Sequence, residues 1–292
     1  MRGVGRASAA ITIVNALPTG VGCALGIGLY ANAEVTLREG TTRAPNELRI
    51  PAECRTPLVE AALRAALEHY GLPHGIEAEL SLRSEIPPSR GLKSSSAVTS
   101  AVAEAVARAA GRSPEPLETA LLSAEVSKAV GVSATGALDD ALAGLSGGFV
   151  VTDNRHGTVL RTGSADPDWG VALLVPRGTH RPSPEWRKEF EAHAEEGQGA
   201  VEAALSRDWW GAMTQNTELV ERTMHYEYSG VREDLRRHGA LGSGVSGLGP
   251  ALAAVATHRQ IPDLMNVLPD ALGEKRTVPL TAAESGGVRR SP

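Results

Sequence analysis

The chain has 292 residues, of which 42% are hydrophobic and 22% are charged, and its formal net charge at pH 7 is -5. This length allows one or two globular domains, and the slightly acidic balance gives no general attraction to nucleic acid or to anionic membranes. Aromatic residues make up only 3% of the sequence, which disfavours stacking surfaces for single-stranded nucleic acid. We therefore predict neither a nucleic-acid partner nor a membrane partner.

The N-terminal third predicts two strands, a helix and a third strand. Strands are expected at residues 7–16 and 26–37, around a Pro-Thr-Gly turn, and at residues 76–83, with a helix at 57–70 between them. The apolar stretch at residues 9–16 also resembles the hydrophobic region of a signal peptide. Asn15, Pro18 and several glycines interrupt it, so a buried strand, a turn and a second strand explain it better.

Helices are then expected at residues 95–110, 116–130 and 137–143, with a strand at 148–152. The segment 156–168 is rich in Gly, Asp and Pro and predicts a domain boundary. We place that boundary after residue 160, which gives domains of 1–160 and 161–284 and a disordered tail of 285–292.

The second domain is expected to begin with a buried strand at 171–175. Further elements are predicted in order: helices at 184–196, 199–206, 210–224 and 231–238, a glycine-rich stretch at 242–249, the start of a helix at 251–256 and a strand at 277–280. Interspersed strands and helices with an N-terminal strand pair predict an α+β fold in two lobes.

The two cysteines, Cys23 and Cys54, have neither the spacing of a metal site nor that of a disulfide framework. This usage favours a reducing compartment, and we predict a cytoplasmic protein. The sequence assigns no oligomeric state.

Residues 87–97 are the most informative segment of the chain. They read Pro-Pro-Ser-Arg-Gly-Leu-Lys-Ser-Ser-Ser-Ala and lead from a turn of small residues into a predicted helix. The first N–H groups of a helix have no partner within it, and the helix dipole favours an anion there, so this segment is suited to phosphate. Lys93 adds a positive charge, and the hydroxyls can reach phosphate oxygens or phosphate-bound Mg²⁺. A serine cap on an ordinary helix is the alternative interpretation.

Two other phosphate-binding motifs fit the chain poorly. A Walker A motif needs lysine directly after glycine, and no lysine of this sequence follows a glycine. Residues 242–247 satisfy G-x-G-x-x-G, but a dinucleotide site needs a strand just before the motif and an acidic residue about 20 positions after it. A charged helix is predicted before the motif, and Asp263 is a weak match for the acid, so we disfavour this interpretation.

Three segments together carry a family resemblance: Gly5-Arg6 on the first strand, residues 87–97, and SGVSGLGPA at 243–251. This combination resembles the GHMP kinase superfamily, and it extends over nearly the whole chain. Within that superfamily, GLKSSSA, VNALPTG and TGALDDALAGLSGGFVVTDN are most similar to the archaeal-type shikimate kinases. The resemblance implies a ribosomal protein S5 domain 2-like N-terminal domain and a ferredoxin-like C-terminal domain. It also implies phosphoryl transfer from ATP, with Mg²⁺, to shikimate.

The resemblance implies roles for individual residues. It assigns the ATP phosphates to Pro87, Pro88, Ser89, Arg90, Gly91, Leu92, Lys93, Ser94, Ser95, Ser96 and Ala97. Ser95 and Glu125 are expected to bind Mg²⁺. Asp139 is expected to act as the base or charge partner at the attacking hydroxyl, with Arg6 as its basic partner and Lys93 as a further catalytic cation. Substrate contacts are expected from Thr19, Gly20, Asp140, Ser246 and Gly247.

The sequence leaves more than one acceptor substrate open. Shikimate carries a carboxylate, for which Arg90 and Arg38 are the candidate partners. Relatives of this type often have Thr-Gly-Lys-Gly where this chain has Thr-Gly-Val-Gly at residues 19–22. A lost substrate-binding lysine would allow another hydroxylated acceptor, such as a cyclitol, a shikimate analogue or homoserine. A sensor that binds ATP and a metabolite without turnover is a third hypothesis.

Overall fold

The computed structural model describes residues 1–39, 46–177 and 185–281. Within these ranges the strands are β1 (Arg2–Val14), β2 (Val21–Glu39), β3 (Glu47–Arg49), β4 (Ile76–Ser84), β5 (Phe149–Asp153), β6 (Thr158–Gly163), β7 (Trp169–Pro176), β8 (Gly242–Val245), β9 (Leu252–Thr257) and β10 (Gly273–Pro279). The helices are α1 (Pro57–His69), α2 (Ser94–Ala109), α3 (Pro116–Ala129), α4 (Leu138–Ser146), α5 (Trp186–Ala192), α6 (Ala194–Leu205), α7 (Trp209–Met224), α8 (Ser229–Arg237) and α9 (Ile261–Val267).

The N-terminal sheet is organised around the long strand β2. Its strand order is β3-β4-β2-β5-β6, and β1 also pairs with β2. The early part of β2 pairs with β5 and the later part with β4, so one strand holds the two halves of the sheet together. Helix α2 packs closely on β1, where a side chain at Gly3 or Gly5 would overlap the backbone of α2. This close packing fixes α2 relative to the sheet.

A second, antiparallel sheet with the order β10-β7-β9-β8 forms the C-terminal part. Strand β6 still belongs to the first sheet and ends at Gly163, whereas the second sheet begins at Trp169. The change of sheet therefore lies between these two residues and not after residue 160, because our predicted boundary would cut β6. The predicted two-domain α+β fold is confirmed. None of the helices in the described ranges is long and apolar enough to cross a membrane.

One predicted element has the wrong type. We expected a helix to start at residues 251–256, but this alanine-rich segment forms β9, which lies between β7 and β8. Its residues up to Ala256 are buried on both faces, so packing inside the sheet overrides the helix propensity of alanine. Strands β3, β6 and β8 and helix α9 were not predicted. The predicted tail, 285–292, and the first residue of the predicted helix at 184–196 lie outside the described residues.

Candidate active site

A cleft of about 540 Å³ is lined by residues of both domains. The N-terminal domain contributes the end of β1, the loop before α2, and the segment that joins α3 to α4. The C-terminal domain contributes the start of α5 and the loop after β8. The predicted phosphate segment and the predicted acidic pair therefore share one cavity.

The loop before α2 has an unusual backbone. Ser89, Gly91 and Lys93 all have positive φ, at 57°, 79° and 65°, so the chain folds tightly before α2 begins at Ser94. Residues 89–96 all line the cleft, which presents the unpaired first N–H groups of α2 to a ligand. Pro87, Pro88 and Ala97, which we also expected at the ATP phosphates, do not line it.

The loop after β8 is hydrogen-bonded to residues 87–97, the predicted phosphate-binding residues, which are called the phosphate segment below. Ser246 Oγ donates to the Gly91 carbonyl at 2.7 Å and accepts from the Thr12 N–H at 3.2 Å. The Gly247 N–H donates to Thr12 Oγ1 at 2.8 Å, and the Ala251 N–H donates to the Arg90 carbonyl at 3.2 Å. These bonds join β1, the phosphate segment and the second sheet at one point.

The same loop excludes the dinucleotide interpretation. Residues 242–245 of the glycine motif form a strand, β8, and after a loop the chain continues into another strand, β9. A dinucleotide fingerprint requires the motif to lead from a strand into a helix.

Asp139 and Asp140 lie in the first turn of α4 and are almost completely buried, with 4% and 7% of their surface exposed. Asp139 Oδ1 accepts a hydrogen bond from Asn154 Nδ2 at 2.9 Å. Asp140 Oδ2 lies 3.1 Å from Lys93 Nζ, and its Oδ1 has no hydrogen-bond partner within the described residues. The dipole at the helix N-terminus stabilises the negative charge of both carboxylates. Asp140 Oδ1 is the oxygen without a partner and is left for a ligand.

The pKa of Asp139 is raised to about 7, chiefly because burial penalises the charged carboxylate and next because the charge of Asp140 is adjacent. The hydrogen bond from Asn154 and the charge of Lys93 act in the opposite direction. Burial also raises the pKa of Asp140, and Lys93 opposes that shift. A carboxylate that titrates near neutral pH is suited to accept a proton during a reaction.

Residues 57–148 match the family model "GHMP kinases N terminal domain". A shikimate kinase of Pyrococcus abyssi is 35% identical over 259 residues, which cover 88% of this chain and 92% of that protein. A shikimate kinase of Methanosarcina acetivorans is 36% identical, over 87% of this chain and 84% of that protein. The chain belongs to the archaeal shikimate kinases of the GHMP kinase superfamily. The solved mevalonate kinase of Methanococcus jannaschii shares the fold, with a TM-score of 0.73 at 15% identity over 96% of this chain and 99% of that one.

The cation beside the acidic pair in this shikimate kinase family member is Lys93, and not Arg6 as we predicted. Arg6 is exposed, and its guanidinium carbon lies 3.5 Å from the centroid of the Tyr30 ring. The β1 residue nearest to Arg6 among those that line the cleft is Thr12, and six residues of extended strand span about 20 Å. Arg6 therefore lies too far along β1 to pair with Asp139.

The predicted metal ligand Glu125 also faces away from the cleft. It is exposed on α3, whereas Ser127, two residues later, is buried and lines the cleft. The Ser127 hydroxyl has no hydrogen-bond partner within the described part of the chain. Ser95 lines the cleft as expected. Hydroxyl oxygens from these two serines suit an Mg²⁺ ion that arrives on ATP and keeps phosphate and water as its main ligands.

Thr19, Gly20 and Ser246, which we predicted to bind substrate, instead form hydrogen bonds within the protein. Thr19 Oγ1 accepts from the Val21 N–H at 3.1 Å, and the Gly20 carbonyl accepts from the Asn154 N–H at 2.9 Å. Neither Thr19 nor Gly20 lines the cleft, and Ser246 is fully buried in the bonds described above. Gly247 and Asp140 do line it. Val21, where relatives often have lysine, does not.

Arg90 and Arg38, the two residues predicted to bind the shikimate carboxylate, lie in different parts of the structure. Arg90 lines the cleft. Arg38 instead lies on β2, where it pairs with Glu77 at 3.2 Å and with Glu79 at 3.0 Å.

Sequence reasoning missed five residues of the site: Gly22, Ser127, Asn154, Trp186 and Arg187. Asn154 closes the GGFVVTDN segment, which carried part of the family resemblance, but the pattern does not reveal its bond to Asp139. Gly22 faces the same carboxylate, because a Cβ there would lie 2.5 Å from Asp139 Oδ2. Trp186 and Arg187 begin α5 and line the cleft. No sequence signal marked either of them.

Proposed function

We propose that this chain transfers the γ-phosphoryl group of ATP to a hydroxyl of shikimate, giving shikimate 3-phosphate and ADP. The observation that carries this proposal is the shared cleft, in which a helix N-terminus suited to phosphate meets a buried carboxylate whose pKa is about 7. The choice of shikimate is supported by the two relatives named above. Cys23 and Cys54 are both free thiols, which supports a reducing compartment and hence the cytoplasm.

In this proposal the ATP phosphates bind to residues 89–96. The N–H groups at the start of α2 donate to phosphate oxygens, and Lys93 supplies positive charge near the transferred group. Ser95 and Ser127 would hold an Mg²⁺ ion bound to the phosphates, which would neutralise charge on the triphosphate. The contribution of the protein is positioning and charge neutralisation, as phosphoryl transfer requires.

The acceptor hydroxyl lies between Asp139 and the γ-phosphorus. Its oxygen forms the new bond to phosphorus while the bond from phosphorus to the β–γ bridging oxygen breaks, and ADP leaves with that electron pair. The hydroxyl proton passes to Asp139. Asp140 pairs with Lys93, and its Oδ1, which has no partner within the described residues, accepts a hydrogen bond from a substrate hydroxyl.

Coupled ATP turnover with Mg²⁺ tests the acceptor. We expect kcat/KM for shikimate to exceed that for homoserine, mevalonate, galactose and a set of cyclitols by at least about 10³-fold, because a site built for a polar group discriminates strongly against ligands that lack it. Preference for another acceptor would overturn the substrate assignment. ATP binding without turnover on any acceptor would instead favour the sensor hypothesis.

Gly22→Ala is expected to lower kcat by at least about tenfold, because the new methyl group would displace the Asp139 carboxylate from its position. Overpacking of this kind also costs about 1–3 kcal/mol in the free energy of unfolding. Kinetics and urea unfolding measure the two effects. Gly230→Ala is the matched control, because nothing lies within 4 Å of a Cβ at that position in α8. Unchanged kcat in Gly22→Ala would contradict the role of Asp139.

Asn154→Ala is expected to move the pH dependence of kcat/KM for shikimate to higher pH. A base must be ionised, so activity rises as pH passes the pKa of Asp139, and removing the Asn154 hydrogen bond raises that pKa further. Thr152→Val, which removes only the 2.6 Å bond from Thr152 Oγ1 to Asn154 Oδ1, should give a smaller shift in the same direction. A lower kcat with an unmoved midpoint would mean that Asn154 is structural only.

A further inference from the structure

Three cationic side chains line the described part of the cleft: Arg90, Lys93 and Arg187. Lys93 is paired with Asp140. Arg90 and Arg187 form no ion pair with a carboxylate of the described residues. The cleft thus holds two arginines whose charge is available to ligands.

If the proposed function holds, the two reactants bring two separate anions, a triphosphate and the carboxylate of the acceptor. Arg90 belongs to the phosphate segment, and its carbonyl is bonded to the Ala251 N–H, so it is placed for the triphosphate. Arg187 comes from α5 of the C-terminal domain. It is exposed to the cleft and approaches from a different part of its lining.

The surroundings of Arg187 differ from those of the phosphate segment. Trp186, Leu17 and Leu248 line the cleft and pack against one apolar cluster of the C-terminal domain. The Arg187 guanidinium carbon lies 5.1 Å from the centroid of the Trp186 ring, close enough for a cation–π contact that leaves the N–H donors free. By contrast, Ser95 and Ser127 line the wall near α2 and α3.

We propose that Trp186 and Arg187 form the acceptor subsite, in which Arg187 binds the carboxylate and Trp186 packs against the carbon ring. A planar guanidinium can donate two parallel hydrogen bonds to a carboxylate, which a lysine cannot do. The apolar patch of Trp186, Leu17 and Leu248 suits the CH face of a six-membered ring, and the free Oδ1 of Asp140 suits its hydroxyls. Arg187 then selects a carboxylated ring over an uncharged polyol.

Kinetics of Arg187→Gln with shikimate and with its methyl ester test this subsite. We expect KM for shikimate to rise by about 10- to 100-fold, because a charge-assisted bidentate contact is lost, while KM for ATP stays unchanged. The ester has no carboxylate charge, so the preference of the wild type for shikimate over the ester should collapse in this variant. Arg187→Lys should recover part of that preference. Trp186→Ala should raise KM for both acceptors.

Arg90→Gln is the matched comparison, and its main effect should fall on KM for ATP. The subsite is overturned if Arg187→Gln leaves KM for shikimate unchanged, or if Arg90→Gln is the variant that loses the preference for shikimate over the ester. Calorimetric titration of shikimate separates the two proposals. Turnover and binding that are insensitive to Arg187 would remove the subsite alone, whereas a wild type that neither binds nor phosphorylates shikimate would remove both.

Discussion

Asp139→Asn is expected to lower kcat by about 10²- to 10⁴-fold while leaving the Kd for ATP unchanged. The substitution keeps the shape of the side chain and the partner position of Asn154, but it removes the oxygen charge that accepts the proton. Steady-state kinetics and nucleotide titration measure the two quantities. Asp263→Asn is the matched control, since Asp263 also lies in the first turn of a helix, α9, and is exposed. A loss of less than threefold, within the scatter of ordinary surface substitutions, would remove Asp139 from the mechanism.

The same variant should be more stable than the wild type at alkaline pH. The pKa of Asp139 is about 7 in the folded protein against an ordinary value of 3.8, so the folded state holds its proton more tightly. That contribution to stability is complete below the unfolded pKa and is lost as pH rises through about 7. We expect the Tm of Asp139→Asn to exceed that of the wild type by a few degrees at pH 8 and by less at pH 5. An equal difference at both pH values would contradict the burial of an ionisable carboxylate here.

Lys93→Met is expected to lower kcat by about 10²- to 10³-fold, because it removes the positive charge placed for the phosphoryl group. It should also lower the free energy of unfolding by about 3–5 kcal/mol, since Asp140 is left buried without its cation. Urea unfolding and steady-state kinetics separate the two effects. Lys188→Met, on the exposed side of α5, is the control.

The double variant Lys93→Met/Asp140→Asn distinguishes the structural role of the pair from its chemical role. Removing both charges should restore most of the stability, because no buried charge is left unpaired, but it should not restore kcat. A double variant as unstable as Lys93→Met alone would show that the pair is not what stabilises this part of the cleft.

Residues 89–96 could be predicted to line a site because their chemistry depends on local features. Gly91 readily adopts one of the positive φ values before α2, and serines together with a lysine supply donors at a helix N-terminus. Asp139 and Asp140 were singled out through the resemblance of their segment, TGALDDALAGLSGGFVVTDN, to that of the archaeal-type shikimate kinases. Features that depend only on contiguous residues are visible in the sequence.

Arg6 and Glu125 were assigned to the right elements but to wrong positions on them. A side chain on a helix turns by about 100° per residue, so moving two residues, from Glu125 to Ser127, exchanges the exposed face for the cleft. Arg6 was assigned to the correct strand, but it lies about 20 Å along β1 from Thr12, the nearest residue of that strand that lines the cleft. Such errors arise because a motif locates an element, whereas packing decides which of its faces meets the site.

Asn154, Trp186 and Arg187 could not be predicted because they join the site only through tertiary structure. Pairing of β5 with β2 brings Asn154 next to Asp139, and α5 reaches the cleft from the other domain. The segment that forms β9 shows the same limit for secondary structure. Its local preference is helical, and only its neighbours in the sheet make it a strand.

The central claim is that this cleft transfers a phosphoryl group from ATP to shikimate with Asp139 as the base. The most direct measurement is ³¹P NMR of a reaction containing purified protein, ATP, Mg²⁺ and shikimate, run in parallel with Asp139→Asn. We predict that a phosphomonoester signal coupled to the C3 proton of shikimate grows in step with ADP, and that the variant forms it at least about 10²-fold more slowly. ADP accompanied only by inorganic phosphate, or equal rates in the two proteins, would contradict the claim.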